Sequence, residues 1–128
     1  MKKLSSVHRT YTVREQSPLT NSYYTTETLD GRDCSKLVLY IDFIKENLTS
    51  ADIRILFSHD NNYWFQETTG TFAAGTYTEY KTIHRFATTG THRLVVPIMD
   101  TWIRLEVVGN GDLSGNNGLY IYGYVGTE

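Results

Sequence analysis

The sequence predicts an all-β protein, an antiparallel β-sandwich of about eight or nine strands in a jelly-roll-like arrangement. Three observations carry this. Apolar and polar residues alternate through most of the chain, the period-2 pattern of strands with one buried face. Aromatic residues make up 13%, ten of them Tyr, and Thr is abundant, a composition that suits a pleated, half-buried surface better than a helix. Clusters of Gly, Asn, Asp and Ser separate the alternating runs at short intervals, as expected of a sandwich rather than of units that alternate strand and helix.

At 128 residues the chain fits one domain with a core of its own, without disulfides or a structural metal. Residues 1–21 are the least committed part. Val7, Arg9, Tyr11 and Val13 alternate with His8, Thr10 and Thr12 until Pro18 intervenes, which predicts an N-terminal arm or edge strand ahead of a sandwich over residues 22–128. Residues 23–29, rich in Thr and Tyr, predict a second strand closed by Asp30-Gly31-Arg32-Asp33. In residues 36–45, Leu37, Leu39, Ile41 and Phe43 share a face. Residues 52–58 repeat the pattern with Ile53, Ile55 and Phe57. A short polar link joins these two runs, so antiparallel pairing between them is expected. Ser58-His59-Asp60-Asn61-Asn62-Tyr63-Trp64 reads as a hairpin turn in mid-chain.

A short strand is expected over 63–68, followed by a loose connection marked by Gly70, Ala73, Ala74 and Gly75, and then a single strand over 76–87. Residues 92–98 predict a strand with Leu94, Val96 and Ile98 inward, and Pro97 confines that region to an edge or a strand end. Residues 101–108 and 119–125 turn Ile103, Leu105, Val107, Leu119, Ile121 and Val125 inward, and the Gly- and Asn-rich stretch between them makes these runs expected hairpin partners.

The formal net charge is −2, from twelve basic and fourteen acidic residues, so the chain carries no electrostatic footprint for nucleic acid or an anionic membrane. Its start, Met-Lys-Lys-Leu-Ser-Ser, lacks a following apolar stretch, and no secretion leader is expected. No run approaches the roughly 18 apolar residues of a membrane span. The single cysteine, Cys34, is preceded by Asp33, a neighbour that disfavours its thiolate. His8, His59, His84 and His92 show no ligand spacing, although His84 and His92 could face each other across a turn. No metal and no cofactor are expected. The serines lie in no nucleophile-elbow context, and Asp42, Asp60, Glu67, Glu79 and Glu106 are carboxylates of the kind that decorate solvated sheet faces. The chain is not expected to be an enzyme.

Surface recognition remains. Tyr120, Tyr122 and Tyr124 form a same-face stripe on the last strand, whose other face already supplies Leu119, Ile121 and Val125. Together with Tyr11 and Val13 of the N-terminal segment, this stripe is the candidate interface. Trp64 and Trp102 read first as core residues. As exposed rings, with Tyr63, they would instead be stacking platforms for a sugar, making the chain a carbohydrate-binding β-sandwich module.

The segment from Asp52 through Trp64, then His92-Arg93-Leu94-Val95-Val96-Pro97-Ile98 and Trp102-Ile103-Arg104-Leu105-Glu106-Val107, resembles small β-sandwich structural proteins of tailed-phage particles. In that family a polar turn ending in Trp is followed by a strand ending near a proline and by an aromatic-Ile-Arg strand. The same segments look like discoidin or galactose-binding-like domains, from which this chain departs in lacking their disulfide-linked termini. The phage resemblance implies a non-enzymatic virion protein, a capsid decoration, cement, head-tail or tail subunit. Its implied partners are the major capsid protein or tail and neck subunits and further copies of itself.

Overall fold

The computed structural model describes residues 7–127 and is built of β-strands. The first sheet contains β1 (His8–Ser17), β4 (Lys36–Ile44), β10 (Gly90–Pro97) and β12 (Gly118–Gly126), in the order β1-β12-β4-β10. The second contains β2 (Tyr24–Thr25), β3 (Leu29–Asp30), β5 (Leu48–Ser58), β6 (Trp64–Gln66), β9 (His84–Phe86) and β11 (Trp102–Gly111). There β11 and β5 form the centre, β2 and β3 flank β11, and β6 and β9 flank β5. A separate two-stranded ribbon joins β7 (Thr68–Ala73) to β8 (Thr76–Lys81). All pairings are antiparallel.

With β6 and the ribbon set aside, β2 and β3 act as one station and the pairing becomes regular. β1 pairs with β12, β2 and β3 with β11, β4 with β10, and β5 with β9. First pairs with last, second with next to last, and so inward: a long hairpin rolled into two sheets, the jelly roll. The chain is thus an all-β sandwich, and the β7–β8 ribbon is an insertion in the innermost connection.

The core is the set of side chains on the two inner faces. Leu37, Leu39, Ile41, Phe43, Leu119, Ile121 and Val125 come from the first sheet, and Ile53, Ile55, Phe57, Ile103, Leu105 and Val107 from the second, each at most 1% exposed. Alternation places their neighbours on the two outer faces.

Two expected pairings are overturned. β4 and β5 do not pair, and neither do β11 and β12; each couple straddles the core, one strand in each sheet. Alternation specifies a buried face, and strands lying side by side or opposite each other across a sandwich satisfy it equally. The 45–47 link is an arch between sheets, closed by Leu48 N donating to Lys45 O at 2.9 Å and passing through Glu46 at φ 47°. Residues 68–75 are not a loose connection but β7 and a tight turn. The expected 76–87 strand is two strands, β8 and β9, interrupted at residues 82–83. The first segment takes the edge-strand form over His8–Ser17, paired along β12; residues 1–6 lie outside the described residues.

Pro97 ends β10, an edge strand. Ile98 N donates to Ser35 O at 2.9 Å, so hydrogen-bonding groups alternate in phase with Ile98 and the Pro97 nitrogen faces the open side, where the missing N–H breaks no ladder bond.

Candidate functional site

The mid-chain turn shows why its polar residues are there. Asp60 Oδ1 accepts from the backbone N–H groups of Asn62 and Tyr63, both at 2.9 Å, and from Ser58 Oγ at 3.1 Å. Those backbone bonds hold the Asp60 carboxyl below the usual range. Asn61 takes a left-handed φ of 60°, a conformation Asn tolerates. The carboxylate therefore builds the turn that pairs Ser58 with Trp64.

The outer face of the second sheet is a lattice of arginine and aromatic rings. Arg104 lies over Trp64 at 4.1 Å, Arg54 over Tyr23 at 3.7 Å and Arg32 over Trp102 at 5.2 Å, geometries in which the ring quadrupole attracts the cation. Arg54 Nε also donates to Glu106 Oε1 at 2.6 Å. Both Trp side chains are half-buried on this outer face and belong to no core cluster, which corrects their assignment to the core. Each has a ring face taken by a guanidinium, which leaves less of it for a sugar. Tyr63, in the turn just before Trp64, is 77% exposed.

The outer face of the first sheet carries the tyrosine stripe. Tyr122 stands opposite Tyr40 of β4 and Thr12 of β1, and Tyr120 stands opposite Asp42. Tyr124 stacks on His8 at 4.8 Å between centroids. Tyr122 and Tyr40 are each 37% exposed, while Tyr120 and Tyr124 are half-buried. Arg93 of β10 lies 5.9 Å from the Tyr40 ring, and Thr91 donates to Asp42 at 2.6 Å. Tyr40 and Arg93 extend the stripe sideways and were missed in the sequence, because membership of this face depends on β4 lying between β12 and β10. Tyr11 and Val13 are on the other side of the sheet, packed against the core; the Tyr11 hydroxyl accepts from Asp30 N at 3.2 Å. They support the stripe's sheet from beneath and do not share its surface.

The third surface is the β7–β8 ribbon. From Thr69 to Lys81 every residue is exposed, with Phe72 at 74%, Tyr77 at 59% and Tyr80 at 54%. The turn residues Ala74 and Gly75 have φ of 51° and 78°, the two positive values of a type I′ hairpin turn. Tyr77 crosses diagonally onto Gly70, where a Cβ would lie 1.9 Å from its hydroxyl oxygen. The ribbon and the second sheet enclose an open groove of about 710 Å³, with Arg54, Trp64, Gln66 and Glu106 on the sheet side and Glu79 and Lys81 on the ribbon side. Ala74-Gly75 between two Thr- and aromatic-rich runs was the available signal for this hairpin.

The titratable groups are engaged locally. His84 Nε2 lies 2.8 Å from Glu67 Oε1, His92 Nε2 lies 2.9 Å from Thr88 O, and His59 Nδ1 lies 3.1 Å from Asp100 Oδ1. His84 and His92 thus have separate partners. Among the described residues no three His, Cys, Asp or Glu side chains are grouped to hold a metal ion. Arg9 Nη1 donates to Cys34 Sγ at 3.4 Å, and burial pushes the thiol up.

These features define a small jelly roll whose distinguishing surfaces are two aromatic sheet faces and a projecting ribbon. No protein-family model matches the chain, and no curated protein matches it. Among solved structures, the SPBc2 prophage-derived protein YomS shares the fold, with a TM-score of 0.60 over 99% of this chain and 99% of that one at 15% identity.

Proposed function

We propose that this chain is a non-enzymatic structural protein of a tailed-phage particle, a capsid decoration or cement subunit or a head-tail or tail subunit, acting through repeated protein–protein contacts. The observation that carries the reading is the end-to-end likeness in fold to a prophage-derived protein. The surfaces support it. The exposed Tyr40–Tyr122 pair, rimmed by Arg93 and Asp42, has the apolar centre and polar border of a protein interface. The partner proposed for it is a capsid, neck or tail subunit. Many modest contacts of this kind add up by multivalency on a symmetric particle.

The test is direct. Particles purified by density gradient should contain the chain in a fixed ratio to the major capsid protein by mass spectrometry. Particles made without it should bind the purified protein, and Tyr40→Ala with Tyr122→Ala should weaken that binding about tenfold or more. Absence from purified particles, together with no binding to particles lacking it, would sink the reading.

A further inference from the structure

The outer edge of β8 is short and exposed, and its only charges, Glu79 and Lys81, are of opposite sign and two residues apart. Such charges guard an edge against indiscriminate pairing, but they also make this edge complementary to itself in one register. Thr82 N donates to Glu67 O at 2.8 Å, and the β7–β8 register runs from Thr68↔Lys81 to Ala73↔Thr76. The backbone groups of Thr76, Thr78, Tyr80 and Thr82 therefore face β7, and those of Tyr77, Glu79 and Lys81 point outward. Among the described residues nothing pairs with them.

We infer that β8 pairs edge to edge and antiparallel with β8 of a second copy of this chain, about a two-fold axis at Tyr80. Charge selects the register. Centring on Tyr80 sets Glu79 opposite the partner's Lys81 and Lys81 opposite the partner's Glu79. Centring on Glu79 or on Lys81 places like charges face to face, and centring on Thr78 sets Glu79 against the partner's Tyr77. The Tyr80 register also brings outward-facing backbone groups together in hydrogen-bonded pairs, as the ladder requires. The contact is isologous and closes on itself, so it yields dimers, not fibres. A four-stranded ribbon is also better supported than the two strands alone. This pairing goes beyond the particle role and does not depend on it.

The test uses the full-length chain in sedimentation equilibrium. A monomer–dimer equilibrium is expected. Glu79→Lys and Lys81→Glu should each weaken the dimer about tenfold or more, because each creates like-charge pairs at the axis, and the double exchange should restore it. Both positions are exposed, so circular dichroism and the melting temperature should not move. Register is read with cysteines in a Cys34→Ser background. Tyr80→Cys should cross-link to itself on oxidation, being self-opposed at a separation a disulfide spans, whereas Thr78→Cys should not. A chain that is monomeric at all concentrations, a dimer indifferent to both charge reversals, or cross-linking at position 78 and not at 80 would overturn the inference.

Discussion

Arg14 is the charged residue with most at stake in the fold. It sits where the β1–β12 register shifts and is only 8% exposed. Its guanidinium donates to the carbonyls of Ser17 at 2.9 Å and Pro18 at 3.0 Å, and also to that of Leu119. Burial pushes its pKa down, yet a guanidinium stays charged at any working pH, so the carbonyls take the place of a counter-ion. Arg14→Met should cost about 2–4 kcal/mol in urea denaturation, because several acceptors lose their donor at once. A loss under about 0.5 kcal/mol, the size of an ordinary surface change, would contradict this fastening role. Gly123 makes the opposite demand for space. A Cβ there would meet Leu39 Cδ2 at 2.9 Å and Val38 O at 3.0 Å, so Gly123→Ala should destabilise by about 1–3 kcal/mol through overpacking. Neither role was visible in the sequence, since both depend on which strand lies alongside.

Among the elements, β5 and β9 are clamped by a charge pair with a pH signature. Arg85 donates to Asp52 through Nε at 2.7 Å and Nη2 at 2.8 Å, holding the Asp52 carboxyl below its ordinary value. Asp30, bonded by Arg32, is held down at about 2. A carboxylate with a depressed folded pKa stabilises the protein above its unfolded pKa, about 3.9, and that contribution is lost as pH falls through the folded value. Chemical denaturation should therefore show stability falling between about pH 4 and pH 2, and Asp52→Asn should flatten part of that slope. Alternation specifies which face of a strand is buried and leaves its neighbour open. β4, β5, β11 and β12 were legible with their inward residues, from Leu37 to Val125, because a strand with one wet face writes its burial into every second position. Their partners were not legible, because an arch and a hairpin place identical demands on the sequence. The β7–β8 ribbon escaped notice for a different reason: with both faces exposed it has no buried alternation to display. Its independence can be measured. Replacing residues 68–81 by Asn-Gly leaves Glu67 and Thr82 to close a tight turn, and the sandwich should keep its stability within about 0.5 kcal/mol.

At the scale of the whole molecule, the rolled-hairpin topology sets the order in which stability can be gained. β12 lies between β1 and β4, and β11 lies between β5 and the β2–β3 pair. Each sheet therefore takes a central strand from the far end of the sequence. A chain truncated before Gly118 should show neither a cooperative melt nor dispersed amide resonances, because β1 and β4 would both lose their shared neighbour and the inner faces would stay wet. During synthesis the ribosome delivers β11 and β12 after every strand they join. Until then β1, β2 and β3 and one edge each of β4 and β5 wait unpaired, the slow and exposed situation of high contact order. Closure then comes as one late event, and a copy whose translation stops early has no finished surface to offer a partner. In the particle proposed above, the topology then acts as a quality check on which copies are built in.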